Sequence, residues 1–173
     1  DVDGVSIASS IISKNSNRQK NIHEIPKKVL EDQLNSVLDE YVFDSVKIGF
    51  FSGKDHLDEI LRIVKKYDLN KIVLDLSLVD NKVLTYDEIK NSLVEDFLPE
   101  VFILILDIEK AEKVSDIKIE NKDDAQKAAD IIEKKGPDFV LIKNRSIKDF
   151  ADLLYDGDSY NYNEGYEIYE DNN

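Results

Sequence analysis

The chain has 173 residues, with 23 Lys plus Arg against 37 Asp plus Glu and a formal net charge of −14. That length fits one domain, and the 42% hydrophobic fraction is enough for a core, whereas so acidic a chain lacks the clustered Lys and Arg that bind nucleic-acid phosphates. No apolar run approaches the ~20 residues of a membrane helix, and the absence of Cys excludes disulfides, thiolate catalysis and zinc–sulfur sites. Neither nucleic acid nor membrane is an expected partner. Met is also absent and the first residue is Asp1, so the start reads as trimmed, processed or incomplete. No charged n-region and apolar h-region follow it, so a signal peptide does not explain that start.

Val5 to Ile12 is a β-leaning run, and the polar Ser13 to His23 reads as loop. Pro26 opens a helix whose stripe is Leu30, Leu34, Val37, Leu38 and Tyr41. Ser45 to Phe51 predicts a short strand, and Leu57, Ile60, Leu61, Val64 and Tyr67 predict a second helix. Ile72 to Val79 is the next strand. Thr85 and Glu88 have capping-box spacing ahead of a helix through Tyr86, Ile89, Leu93, Val94 and Phe97, with Pro99 just beyond. Val101 to Leu106 is uninterruptedly apolar and predicts a strand covered on both faces. A short helix over Ile108 to Val114 follows. Asn121 caps a helix whose inner face is Ala125, Ala128, Ala129 and Ile132, and Gly136-Pro137 ends it. Phe139 to Lys143 is a further strand. Phe150 to Tyr155 and Tyr160 to Tyr169 flank the turn dipeptide Asp156-Gly157. The alternation predicts one α/β domain over 1–173, a mostly parallel sheet flanked by helices with an antiparallel hairpin near the C-terminus.

Common catalytic signatures are missing. Gly53-Lys54-Asp55 lacks the rest of a P-loop, and neither G-x-G-x-x-G nor G-x-S-x-G occurs. His23-Glu24-Ile25-Pro26 is not a zinc motif, and two histidines, both read as surface residues, cannot build a multi-histidine site. Ligands of open α/β sheets bind beyond the carboxyl ends of the strands. Asp75 sits there inside an apolar strand, either satisfied by neighbouring amides or serving a site. Asp107 either caps the helix at Ile108 or holds a metal. Lys143 either meets a phosphate or is a solvated strand end.

Six segments follow one another with family-like spacing. They are Asp3-Gly4-Val5-Ser6-Ile7 through Lys14-Asn15-Ser16, His23-Glu24-Ile25-Pro26, Gln33-Leu34 with Val37-Leu38, Asp44-Ser45-Val46-Lys47-Ile48-Gly49, Ile72-Val73-Leu74-Asp75, and Asp152-Leu153-Leu154-Tyr155-Asp156-Gly157. Over nearly the whole chain this order resembles the hydroxymethylpyrimidine/phosphomethylpyrimidine kinases of thiamine biosynthesis, in the ribokinase-like superfamily. The resemblance implies ATP-dependent phosphorylation of the pyrimidine's hydroxymethyl group and then of the monophosphate, with ATP and magnesium as cofactors, in the cytoplasm. It places Lys14, Asn15, Gly49, Phe50 and Ser77 on the pyrimidine side and Asp75, Asp107 and Lys143 on the nucleotide and phosphate side.

The departures from the family pattern matter as well. Lys14 replaces a Gln and Phe50 a Met. The family's T-P-N-x-x-E reads Ile105-Leu106-Asp107-Ile108-Glu109-Lys110, so a lysine stands at the acidic position associated with magnesium. Its K-G-G-H reads Lys143-Asn144-Arg145-Ser146. The family's glycine-rich start and its anion-hole segment have no counterpart, so no catalytic residue and no metal ligand is assigned. The expectation is a kinase-family chain with impaired or no turnover. The alternative is a non-catalytic module binding a pyrimidine or B6-like ring stacked on Phe50, or a homodimer joined through the Val5 to Ile12 edge.

Overall fold

The computed structural model describes residues 3–14, 19–51, 53–78, 86–144, 147 and 151–163. Eight strands and five α-helices alternate along them. β1 (Ser10–Lys14) and β2 (Gln19–Glu24) form a separate antiparallel ribbon, in register from Ser10 opposite Glu24 to Ile12 opposite Ile22. Two expectations change here. The first strand begins at Ser10, not Val5, and part of the stretch read as loop is strand β2. Gln-Lys-Asn-Ile-His-Glu has no apolar alternation, so its extended form comes from the backbone ladder with β1 rather than from a buried face.

α1 (Lys27–Leu38) starts after Pro26 and buries Leu30; Tyr41 lies beyond it and is exposed. β3 (Val46–Ile48), β4 (Ile72–Asp75), β5 (Val101–Asp107) and β6 (Phe139–Lys143) run parallel, and β7 (Asp152–Tyr155) and β8 (Tyr160–Asn163) add antiparallel at one side. The strand order β3-β4-β5-β6-β7-β8 follows the chain. With right-handed crossovers, that order sets the helices connecting β3 to β6 on one face. These are α2 (Lys54–Lys66), α3 (Tyr86–Asn91), α4 (Ile108–Ser115) and α5 (Lys122–Glu133). Between α3 and β5 the chain passes through a π-helical turn, Ser92–Phe97, and a 3₁₀ turn at Pro99.

Register explains the core. Ile48, Leu74, Leu104 and Val140 lie side by side across the four parallel strands, and all are buried against the helices. Alternate residues point the other way. Ile103, Ile105 and Leu141 are there only half-buried, so β5 is not covered equally on both faces. β4 also stops at Asp75, with a 3₁₀ turn over Leu76–Leu78. Val79, the capping pair's Thr85, Phe150 of the first hairpin arm and residues 164–169 of the second lie outside the described residues.

Local signals hold elsewhere. Asn121 caps α5 by accepting from the Asp124 N–H at 3.1 Å, and Ala125, Ala128, Ala129 and Ile132 are buried. Asp156-Gly157 turns β7 into β8, with Gly157 at φ +87°. One local reading fails. His23 is exposed, but His56 is buried, and its Nε2 stands 2.7 Å from the Ile25 carbonyl. His56 precedes Ile60 and Ile63 on the inner face of α2, so the helical period that buries them buries it too. A second buried polar group, Glu59, receives the Arg62 guanidinium, which also reaches Glu31 on α1 at 3.0 Å. That guanidinium holds the Glu59 carboxyl below its ordinary pKa despite burial, and the network ties α1 to α2.

Candidate functional site

The strand register brings four charged side chains to one end of one face. Lys47 lies beside Val73, two residues before Asp75 on β4. Asp75 lies beside Ile105, two residues before Asp107 on β5, and Asp107 lies beside Lys143 on β6. Side chains two apart share a face, so Lys47, Asp75, Asp107 and Lys143 all stand on the face opposite the helices, at or near the strands' carboxyl ends.

Asp75 is the centre, only 4% exposed. Its Oδ1 accepts from the Ser77 hydroxyl at 2.5 Å and from the Ser77 N–H at 3.2 Å. Its Oδ2 lies 3.4 Å from Lys143 Nζ and 3.6 Å from Lys47 Nζ. Lys143 Nζ also donates to the Ser77 hydroxyl at 3.2 Å. Burial alone would raise the Asp75 pKa, but the Ser77 hydroxyl and the two ammonium groups hold the carboxyl below the ordinary aspartate value. A buried carboxylate is thereby kept charged, and it fixes two ammonium groups that still face solvent, with Lys47 59% and Lys143 28% exposed at the side chain. Two cations so placed can bind the oxygens of a phosphoryl group.

Asp107 takes the capping role. Its Oδ1 accepts from the Lys110 N–H and its Oδ2 from Lys110 Nζ, both at 2.9 Å. The short sequence separation of this N-cap makes it legible locally. Magnesium does not fit these residues. Asp107 is committed to one ammonium and Asp75 lies between two. Among the described residues, no three His, Asp or Glu side chains cluster closely enough to hold a metal ion.

Gly49 and Phe50 do not join the Asp75 cluster. They line an apolar cavity of about 430 Å³ between the outer edge of β3, α1 and α2, and the Phe50 carbonyl accepts from the Ser9 hydroxyl at 2.6 Å. Lys47 lies on both, lining the cavity while its ammonium turns to Asp75. It was absent from the expected site residues. The signal was its place in Asp44-Ser45-Val46-Lys47-Ile48-Gly49, one residue before the end of a strand. Lys14 ends β1, its backbone opposite Gln19, and Asn15, Arg145 and Ser146 lie outside the described residues. Asn144 closes its loop by side-chain bonds instead of glycine freedom: its Oδ1 accepts from the Ile147 N–H, and its N–H donates to Asp152.

Among the described residues, crossover helices on one face of a mostly parallel sheet with charged strand ends define an α/β fold, and its neighbours among solved structures are ribokinase-like. It superposes on the crystal structure of a phosphomethylpyrimidine kinase from Clostridium difficile 630 with a TM-score of 0.80 and 28% identity, over 91% of this chain and 70% of that one. A pyridoxal kinase from Staphylococcus aureus, solved with pyridoxal, shares the fold at a TM-score of 0.76 and 23% identity, over 88% of this chain and 57% of that one. The phosphomethylpyrimidine kinase family matches residues 1–173, and the chain belongs to that family. The hydroxymethylpyrimidine/phosphomethylpyrimidine kinase of Bacillus subtilis is 26% identical over 165 residues, 92% of this chain and 61% of that protein. The chain thus spans about six tenths of that relative's length. No helix among the described residues is long and apolar enough to cross a membrane.

Proposed function

We propose that the chain carries the phosphoryl-facing part of a kinase of thiamine biosynthesis, which transfers the γ-phosphoryl group of ATP to hydroxymethylpyrimidine and then to its phosphate. The observation that carries this reading is the convergence of Lys47 and Lys143 on the buried Asp75 at the strand ends, in a chain of this family. Lys47 and Lys143 neutralise phosphoryl oxygens, and Asp75 and Ser77 hold the two ammonium groups in place. Gly49 and Phe50, with Lys14 and Asn15, face the pyrimidine, whose ring stacks on Phe50. With ATP as donor, the reading fits a compartment that holds ATP, such as the cytoplasm. Turnover by these 173 residues is impaired, because the carboxylate of Asp107 is committed to Lys110 where a cation-binding position is needed.

A coupled ADP-release assay with ATP and hydroxymethylpyrimidine tests this. The expected turnover is well below roughly 1 s⁻¹, the low end of kinase rates, and Lys110→Glu raises it. Calorimetry with hydroxymethylpyrimidine phosphate shows binding that Lys143→Ala weakens about tenfold. Turnover at ordinary kinase rates removes the claim of impairment, and no heat at millimolar ligand removes the site assignment.

A further inference from the structure

Lys110 stands in the first turn of α4, directly after the carboxyl end of β5. Only 13% of its side chain is exposed, which is unusual for lysine. An ammonium group has three donors. Asp107 Oδ2 takes one of them at 2.9 Å, and no other described residue takes the remaining two. A nearly buried ammonium with unused donors calls for the acceptors of a bound group. Lys110 also shares its place with the two lysines around Asp75. Asp107, which holds it, lies beside Lys143 in the register of β5 and β6. Asp107 is one strand over and two residues on from Asp75, about 8 Å away by strand geometry. Three ammonium groups thus face two carboxylates at this end of the sheet, and the set is net positive. Two other carboxylates there are engaged, Glu109 by Lys113 and Asp152 by the Asn144 N–H, each at 2.7 Å. A net positive set repels a divalent cation and attracts an anion.

Resting on the phosphoryl-facing role of Lys47 and Lys143, we propose that Lys110 stands in for the divalent cation, so that the strand ends bind a metal-free polyphosphate of the nucleoside triphosphate class. Lys110 brings a positive charge and hydrogen-bond donors to the place where the family resemblance puts a carboxylate associated with magnesium. Asp107 holds that ammonium, as Asp75 and Ser77 hold the other two. Two cationic points about 8 Å apart suit linked phosphoryl groups better than a single one. A free polyphosphate carries more negative charge than its magnesium complex, so a net positive set favours the free form. One ammonium has half the charge of a magnesium ion. It therefore supports binding better than it supports transfer, where the metal bridges and neutralises the phosphoryl oxygens, in keeping with impaired turnover.

The probe is ATP, titrated calorimetrically into the whole chain in two buffers of matched ionic strength, one with EDTA and one with millimolar MgCl2. Binding in EDTA at least as tight as binding with magnesium is expected. Lys110→Gln, which removes the charge and keeps a good helix former, weakens binding in EDTA about tenfold. Lys110→Glu reverses the order of the two buffers, so that magnesium now strengthens binding. Should that variant not fold, Lys110→Gln and the two buffers with the unaltered protein decide the matter. Tighter binding of ATP with magnesium by the unaltered protein, or an unchanged affinity in Lys110→Gln, would overturn the proposal. If Lys143→Ala still weakens binding in that case, only the role of Lys110 falls and the phosphoryl-facing site stands. No saturable binding of ATP in either buffer, or none lost in Lys143→Ala, removes both.

Discussion

Replacing Lys143 by alanine leaves the buried Asp75 carboxylate with Ser77 and the more exposed Lys47 as its partners. Removing one partner of a buried charge costs more than the pair contributes when intact. The expected loss is about 1–3 kcal/mol in urea unfolding. The pH dependence has a definite sign. The native Asp75 pKa is depressed, so its contribution to stability is complete above the ordinary aspartate range, near pH 4, and is lost as pH falls through the lower native value. In Lys143→Ala the native value rises, so the acid limb of stability against pH loses part of its amplitude. Carbon-detected NMR titration of Asp75 reads the same shift directly, and an unmoved carboxyl would show that Lys143 does not hold it. This pairing could not be read along the chain, because Lys47, Asp75 and Lys143 are far apart in sequence and meet only through the register of β3 to β6. The cap of Asp107 on the Lys110 N–H could be read, because it closes within three residues.

The helix-to-strand junctions set how the elements pack. Gly136, between α5 and β6, has φ +133°, where an L side chain is strained, and a Cβ there would lie 2.6 Å from the Pro99 Cα and nitrogen. Pro99 belongs to the turn entering β5, so Gly136 allows the chain leaving α5 to pass close under that strand's start. Gly136→Ala is therefore expected to cost about 3 kcal/mol or more, read as a lowered melting midpoint or loss of soluble protein. The Gly-Pro pair marked a helix end in the sequence, but its close approach to Pro99 needed the tertiary contact. β2 shows the converse. Its polar residues carry no strand period, and they are extended because β1 offers them a ladder. His56 lay within reach of pattern reasoning, since Leu57, Ile60 and Val64 already defined the buried side of α2.

For the whole molecule, charge decides the response to salt. Surface ion pairs such as Lys28 with Asp32 weaken as salt is added, but each contributes little. A net charge of −14 repels itself over the whole surface, and screening shortens that repulsion from a range of about 30 Å at 0.01 M salt to about 8 Å at 0.15 M. The melting midpoint is expected to rise by several degrees across that interval, and a fall would show that the local pairs dominate. The same charge sets the character of the site. On the proposed function, a chain of net charge −14 meets phosphoryl oxygens through cations gathered locally, as Lys47 and Lys143 are around Asp75.

Local periodicity and capping alone dictate the α/β alternation, the faces of α2 and α5, the turn at Asp156-Gly157 and the cap at Asp107, because each arises from residues within a few positions of one another. The order of short segments carries the family as well. Tertiary structure alone decides that the crossover helices share one face and that two lysines meet one buried carboxylate. The physical reason is that strand pairing is non-local: a shift of one residue in register would turn Asp75 and Lys143 to the opposite face, and nothing within either strand specifies that register by itself.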